Sequence, residues 1–139
     1  MSRENIVSEF VSTLKSMNTI KLGVVQRDPI IVSELPKTAF PAVYVETVSE
    51  DRENLTMGAT RTRRSMMEID CVIVVGGKER DKQRNLVVDA IESQLALDKT
   101  LGGTAKDCSL TTIELVQIGE SEPYASCRMI FSIEYHYDI

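Results

Sequence analysis

The stretch Glu79–Gly103, ERDKQRNLVVDAIESQLALDKTLGG, decides how the rest of the chain is read. Leu86, Ala90 and Leu97, with Val87, Ile91 and Leu95, recur at the three-to-four-residue spacing that gathers side chains on one helix face. Arg80, Lys82, Gln83, Arg84, Asp89, Glu92 and Ser93 fill the other side, so the predicted helix lies on an apolar surface with one face in water. Asp81 is a candidate N-cap, with Lys78 as an alternative start. The exit, Leu97-Asp98-Lys99-Thr100-Leu101-Gly102-Gly103, ends on two glycines whose backbone freedom permits a sharp change of direction. No residue in this stretch is chemically reactive, which points to a protein that works by shape and assembly.

Upstream, Ser2 to Met17 predicts a second amphipathic helix, with Ile6, Val7, Phe10, Val11, Leu14 and Met17 as its apolar stripe and Ser2 as a cap. Ile20 to Gln26 reads as a short strand, Arg27-Asp28-Pro29 as a turn, Ile30 to Val32 as a further extended piece, and Pro36 and Pro41 bracket a loop. Ala42 to Val48 is a strand with Val43 and Val45 on one face and Tyr44, Glu46 and Val48 on the other. Ser49 to Thr60 reads as a long, mobile hairpin tip. Arg61 to Val75 returns as a long strand, with Met67, Ile69, Cys71, Ile73 and Val75 inward and Arg64, Met66, Glu68 and Asp70 outward; Val72 and Val74 predict cover on both sides at its carboxyl end.

Downstream of the central helix, Thr104 to Cys108 is a connection, Ser109 to Ile118 a strand and Gly119 to Pro123 a turn. Tyr124 to Tyr137 carries the clearest alternation: Ala125, Cys127, Met129, Phe131, Ile133, Tyr135 and Tyr137 share one face, and Ser126, Arg128, Ser132, Glu134 and His136 the other. Strand pairs with one helix before and one between them predict a single α+β domain over residues 1–139, a mostly antiparallel or mixed sheet with two helices on one face, and a long loop at about 49–61.

The chemistry-bearing residues are few. A net charge of −5 disfavours a protein whose task is to grip nucleic acid, and 5% aromatic residues without Trp leave few stacking platforms for bases. The start, MSRENIVSEF, has no signal-peptide core and no apolar run is long enough to span a membrane, so an intracellular, reducing setting without membrane contact is expected. Cys71, Cys108 and Cys127 are too scattered for a disulfide framework, and with the single histidine, His136, they lack the spacing of a zinc site. Gly76-Gly77-Lys78 precedes a helix, but Glu79 stands where a phosphate loop needs Ser or Thr. No catalytic residue, cofactor or metal site is predicted, and the expectation is a non-enzyme.

The basic cluster Arg61, Arg63 and Arg64 admits two readings: a solvated strand end that discourages edge pairing, or a contact surface pairing with carboxylates of a partner. On a strand Arg61 and Arg63 point one way and Arg64 the other. Glu50, Asp51 and Glu53 lie near in sequence, and Met57 is an apolar anchor at the loop tip. These seven residues are the candidate interface.

In this order of elements the chain resembles the tail terminator (tail completion) proteins of long-tailed bacteriophages over nearly its full length. The resemblance is carried by the amino-terminal helix, the Pro-bracketed loop into PAVYVETV, the long loop, the strand ending CVIVVGG, the exit LDKTLGGTAKD and the closing run CRMIFSIEYHY. Its most specific piece is Asp98-Lys99-Thr100-Leu101-Gly102-Gly103, similar to an Asp-x-x-Leu-Gly-Gly turn of that family. The resemblance implies a homohexameric ring in the virion, assembled in the host cytoplasm. That ring would cap the tail tube protein, halt tube polymerisation and offer a surface to the head–tail connector or neck protein. DNA would pass through its lumen without specific binding. The alternatives are another neck, head-completion or tail-tube-like structural protein, and a ferredoxin-like small-molecule-binding domain.

Overall fold

The computed structural model describes residues 3–29, 35–54, 62–117 and 124–138. Two strands of 15 residues form its backbone, β3 (Thr62–Gly76) and β5 (Tyr124–Asp138), antiparallel and paired from Thr62 opposite Asp138 to Gly76 opposite Tyr124. Their alternation explains the pairing. Met67, Ile69, Cys71 and Ile73 of β3 and Cys127, Met129, Phe131 and Ile133 of β5 are all buried on one face, so a slip of one residue would put both apolar sets into water. The strand β2 (Ala42–Asn54) flanks β3 and β4 (Asp107–Gln117) flanks β5, both antiparallel, and β1 (Val24–Gln26) joins β2 in parallel. The sheet order is β1-β2-β3-β5-β4, a mixed sheet of five strands.

Two helices, α1 (Arg3–Lys15) and α2 (Arg80–Ala96), cover one face of this sheet. Ile6, Val7, Phe10, Val11 and Leu14 of α1 are buried as the sequence predicts, and Phe10 meets Phe131 edge to face with ring centroids 5.2 Å apart. Each such side chain contributes roughly 1.5–3 kcal/mol by leaving water. The α+β class and the placement of both helices on one face agree with the sequence reading.

The face of α2 differs in part from the expected one. Arg84, Val87, Val88, Ala90, Ile91 and Leu95 are buried, whereas Leu86 is 44% and Leu97 80% exposed. Of the apolar set expected on one face, Val87, Ala90, Ile91 and Leu95 meet the core and Leu86 and Leu97 do not. Arg84 fits beneath the helix because its stem packs while its guanidinium donates to Asp81 at 2.9 Å and to the Ser126 carbonyl at 3.4 Å. Asp81 is therefore not the N-cap: Glu79 precedes the helix without a side-chain cap, and Asp81 holds Arg84 from the first turn.

The exit of α2 is a built corner. Asp98 accepts from the Thr100 hydroxyl at 2.6 Å, the Thr100 amide at 3.1 Å and the Gly102 amide at 2.8 Å, and these donors hold its carboxyl below the ordinary range. Leu101, Gly102 and Gly103 follow with φ of 50°, 70° and 84°. Leu101 tolerates the left-handed region because its side chain is buried, which offsets a cost of roughly 1–2 kcal/mol. Gly102 also lies against α1, since a Cβ there would sit 3.2 Å from the Glu9 carboxylate. A second close approach fixes β1: a Cβ on Gly23 would fall 2.3 Å from the Ala39 carbonyl oxygen.

Several boundaries move. The first strand is Val24–Gln26 rather than Ile20–Gln26, and β4 begins at Asp107, two residues before the expected Ser109. The largest change is in β2, which continues through Asn54, so residues 49–54 of the expected loop are paired strand. Ser2, Ile30–Val32, residues 55–61 and the turn at 119–123 lie outside the described residues. Ile91→Ala should lower the free energy of unfolding by about 2–5 kcal/mol, while Leu97→Ser should stay within about 0.5 kcal/mol. Urea denaturation of both variants checks which row of α2 is the buried one.

Candidate functional site

The far end of the helix-side face is polar, and one extra residue makes it so. Along β2, Val43, Val45 and Thr47 stand opposite Ile73, Cys71 and Ile69, on the buried face. The register then shifts between Thr47 and Ser49, leaving Val48 as a bulge, and Glu50 stands opposite Met67 and Arg52 opposite Ser65. Were Val48 paired in line rather than bulged, strict alternation would put Glu50 and Arg52 on the opposite face. With the bulge, both turn toward α1.

Glu50 is the centre of what they meet. Its carboxylate accepts from Arg3 of α1 at 2.8 and 3.1 Å, from Arg52 at 2.6 Å and from the Tyr135 hydroxyl at 2.6 Å, and its side chain is only 11% exposed. Arg3 above all, with Tyr135 and Arg52, lowers its pKa from 4.5 to about 2 against the opposing effect of burial. The Arg52 guanidinium in turn lies 4.7 Å from the centre of the Tyr137 ring, which stacks beside Tyr135. One residue pair further out, Arg63 stands opposite Tyr137 and Ser65 opposite Tyr135. Ser65 is fully buried, and neither its hydroxyl, the Arg63 Nε nor the Tyr137 hydroxyl has a hydrogen-bond partner among the described residues.

The opposite face of the sheet carries no helix among the described residues; Ala42, Val72, Val74 and Ser126 are buried at one end of it, as expected for Val72 and Val74, and its charges are mostly acidic. Glu46, Asp51, Glu53, Glu68, Asp70, Glu114 and Glu134 lie on it by register, against Arg64 and Arg128. Arg64 reaches Glu53 at 3.0 Å and Glu134 at 3.4 Å, while Arg128 reaches Asp70 at 3.3 Å and Glu114 at 3.6 Å. His136 lies on the same face, its Nε2 3.7 Å from Glu134. Asp70 is buried despite this position, and its desolvation pushes its carboxyl up in pKa, only partly countered by Arg128.

The interface residues read from the sequence therefore separate. Glu50 is committed inside the molecule, Glu53 and Arg64 pair with each other on the uncovered face, Asp51 is exposed there, and Arg63 is on the helix side without a counter-charge among the described residues. Met57 and Arg61 lie outside the described residues. Arg3, Arg52, Ser65, Tyr135 and Tyr137 are the members that sequence reading did not select. The signal for them is the change from valines to Glu50 and Arg52 along β2, together with two tyrosines ending an otherwise apolar strand face.

The cysteines are packing residues. All three are buried and free, and desolvation pushes the Cys108 thiol up to about 12 and those of Cys71 and Cys127 upward as well. Among the described residues, no group of three or more His, Cys, Asp or Glu is arranged to hold a metal ion, and no helix is long and apolar enough to cross a membrane. A half-open recess of about 250 Å³ lies between the end of α2 and β4, lined by Leu95, Lys99, Cys108, Leu110 and Phe131 among others.

No protein-family model matches the chain, and a search of curated proteins gives no match. Among solved structures, the chain is similar to one in the "Virion of native gene transfer agent (GTA) particle", with a TM-score of 0.42, 7% identity and coverage of 95% of this chain and 92% of that one.

A carboxylate with a lowered pKa stabilises the fold above its unfolded value and loses that contribution as pH falls through its folded value. The stability difference between the native chain and Glu50→Gln should therefore be constant at neutral pH and shrink as pH drops from about 4.5 toward about 2. Thermal melts of both proteins across that range check it; parallel curves would remove Glu50 from the centre of the cluster.

Proposed function

We propose that the protein is a structural component of a long-tailed phage particle. In this reading it closes into a ring on the end of the tail tube, stops tube growth and presents a surface to the head–tail connector. The observation that carries the reading is the state of the sheet edges. Beyond Tyr44, β2 has no strand neighbour on its outer side among the described residues, and β4 has none along Asp107–Gln117. Open ladders of this length are templates for pairing, and a chain that works alone blunts them. The edge of β4 exposes apolar side chains instead, Ile113 at 42% and Leu115 at 59%, while the open part of β2 carries a bulge and charged residues, with Val48 exposed at 53%.

The two edges lie on opposite sides of one sheet, so a contact joining β4 of one copy to β2 of the next is heterologous. Repetition of such a contact with a fixed rotation gives a closed ring. The number six and the place on the tail come from the resemblance of the chain to tail terminator proteins. The net charge of −5 suits an opening through which DNA passes without adhering. The role needs no catalytic group, and the reading assigns none.

Light scattering during size-exclusion chromatography, with negative-stain microscopy of the same peak, tests the proposal. Closed rings of six copies that do not lengthen with concentration are expected, and Ile113→Lys combined with Leu115→Lys should leave a folded monomer. A native chain that stays monomeric at high concentration would overturn ring formation, and open-ended tubes would point to a tube subunit.

A further inference from the structure

We propose that the ring contact has one fixed register, in which the bulge of β4 in one copy lies opposite the bulge of β2 in the next. Leu110 then stands opposite Glu50, Thr112 opposite Ser49 and Ile113 opposite Thr47. The inference rests on the ring reading and adds to it the residue pairs that two copies share.

Strand sense comes first. β2 runs antiparallel to β3, β3 to β5 and β5 to β4, so β4 runs opposite to β2. Rotation about an axis lying along the strands keeps the sense of each, so β4 of one copy meets β2 of the next antiparallel. β1 takes the outer side of β2 as far as Tyr44, which leaves the edge open from Val45 onward among the described residues. A shallow recess of about 590 Å³ opens where β1 ends, lined by Arg27, Asp28, Val45, Glu46 and Thr47. It is the place where the end of the incoming β4 seats.

Face parity then selects the register. Each outer strand carries one extra residue relative to its inner neighbour. On β2 it is Val48, since Thr47 and Ser49 stand opposite the consecutive Ile69 and Glu68; on β4 it is Thr111, since Leu110 and Thr112 stand opposite Phe131 and Ile130. The helix side therefore receives Val45, Thr47 and Glu50 from β2, and Leu110, Ile113 and Leu115 from β4. A regular strand laid on either edge matches its faces on one side of the bulge and is out of phase on the other. Two strands with one extra residue each match on both sides when the extra residues face each other. Bulges that turn away an ordinary strand thus admit the other edge of this same chain.

The side chains agree with this register. Ile113 and Leu115, exposed in the single copy, are covered on the helix side by Thr47 and Val45 of the next. On the other face Glu114 comes opposite Glu46 and Asp107 opposite Glu53. One carboxylate of each like pair is already bridged within its own copy, Glu114 to Arg128 at 3.6 Å and Glu53 to Arg64 at 3.0 Å, which offsets the repulsion. From Val45 to Glu53 the shared ladder is roughly 30 Å long and buries on the order of 1,000 Å² over the two copies, the lower bound of a specific interface.

Disulfide trapping in the full chain tests the register, since a bridge needs Cα atoms about 4.4–6.8 Å apart. Ser49→Cys with Thr112→Cys is oxidised at a concentration where light scattering shows rings, and so is Asp51→Cys with Ser109→Cys. Both should give covalent multimers up to the ring size on a non-reducing gel. The native chain is the blank, because Cys71, Cys108 and Cys127 are buried. Glu53→Cys with Thr112→Cys, displaced along β2, should run as a monomer, and far-UV circular dichroism checks the fold of every variant. Rings trapped by the displaced pair, or by no pair, would overturn the register while leaving the ring reading intact. Dimers trapped by Thr112→Cys alone would show β4 meeting β4 about a two-fold axis and would overturn both, as would a native chain that never assembles.

Discussion

The single residue inserted at Val48 sets the character of the molecule more than any other local feature. A strand alternates its side chains with a period of two, so one extra residue reverses every position beyond it. Before the bulge β2 gives Val43 and Val45 to the core; after it, the same face receives Glu50 and Arg52. The sheet thereby becomes two regions on one face, an apolar floor for the helices and a polar extension past them. Glu50 joins the two, since Arg3 at the start of α1 and Tyr135 at the end of the apolar row of β5 both bond to it. A buried carboxylate with this many donors is stable only while all of them are in place, which couples the position of α1 to the register of β2.

The second fixed point lies at the opposite end of the helices. The corner at Asp98–Gly103 turns the chain from α2 toward β4, and its Gly102 abuts Glu9 of α1. Beyond it, the Lys106 amide bonds to the Glu134 carbonyl and starts the β4–β5 ladder. Thus α1 is located at its beginning by Glu50 and in its middle by Phe10 and the Gly102 corner. The outer edges of β2 beyond Tyr44 and of β4 have no strand partner among the described residues.

Much of this was legible in the sequence where a pattern has one physical cause. The alternation of β3 and β5 names the buried residues correctly because both strands are regular over their full length. The α1 stripe is legible because Ile6, Val7, Phe10, Val11 and Leu14 leave no second apolar row to choose. In α2 the apolar set read as one face was too wide: Val87, Ala90, Ile91 and Leu95 are buried, Leu86 and Leu97 are exposed, and Arg84, read as polar surface, is buried in their stead. The end of β2 was unreadable for a different reason. Residues Ser49–Asn54 are polar on both faces, and a polar strand whose parity has been reversed by a bulge has the composition of a loop. Of the candidate contact residues, Asp51 and Glu53 are exposed, Arg63 is half-buried, and Glu50 serves the fold.

Glu50→Ala tests the central claim most directly, because it removes the acceptor that Arg3 and Tyr135 share and leaves the backbone of β2 as it is. Hydrogen exchange followed by mass spectrometry over Arg3–Val11 reads the result. Loss of protection in the first turns of α1, with the β3–β5 core still protected, is what the account predicts. Unchanged protection of α1 in the substituted variant would contradict it.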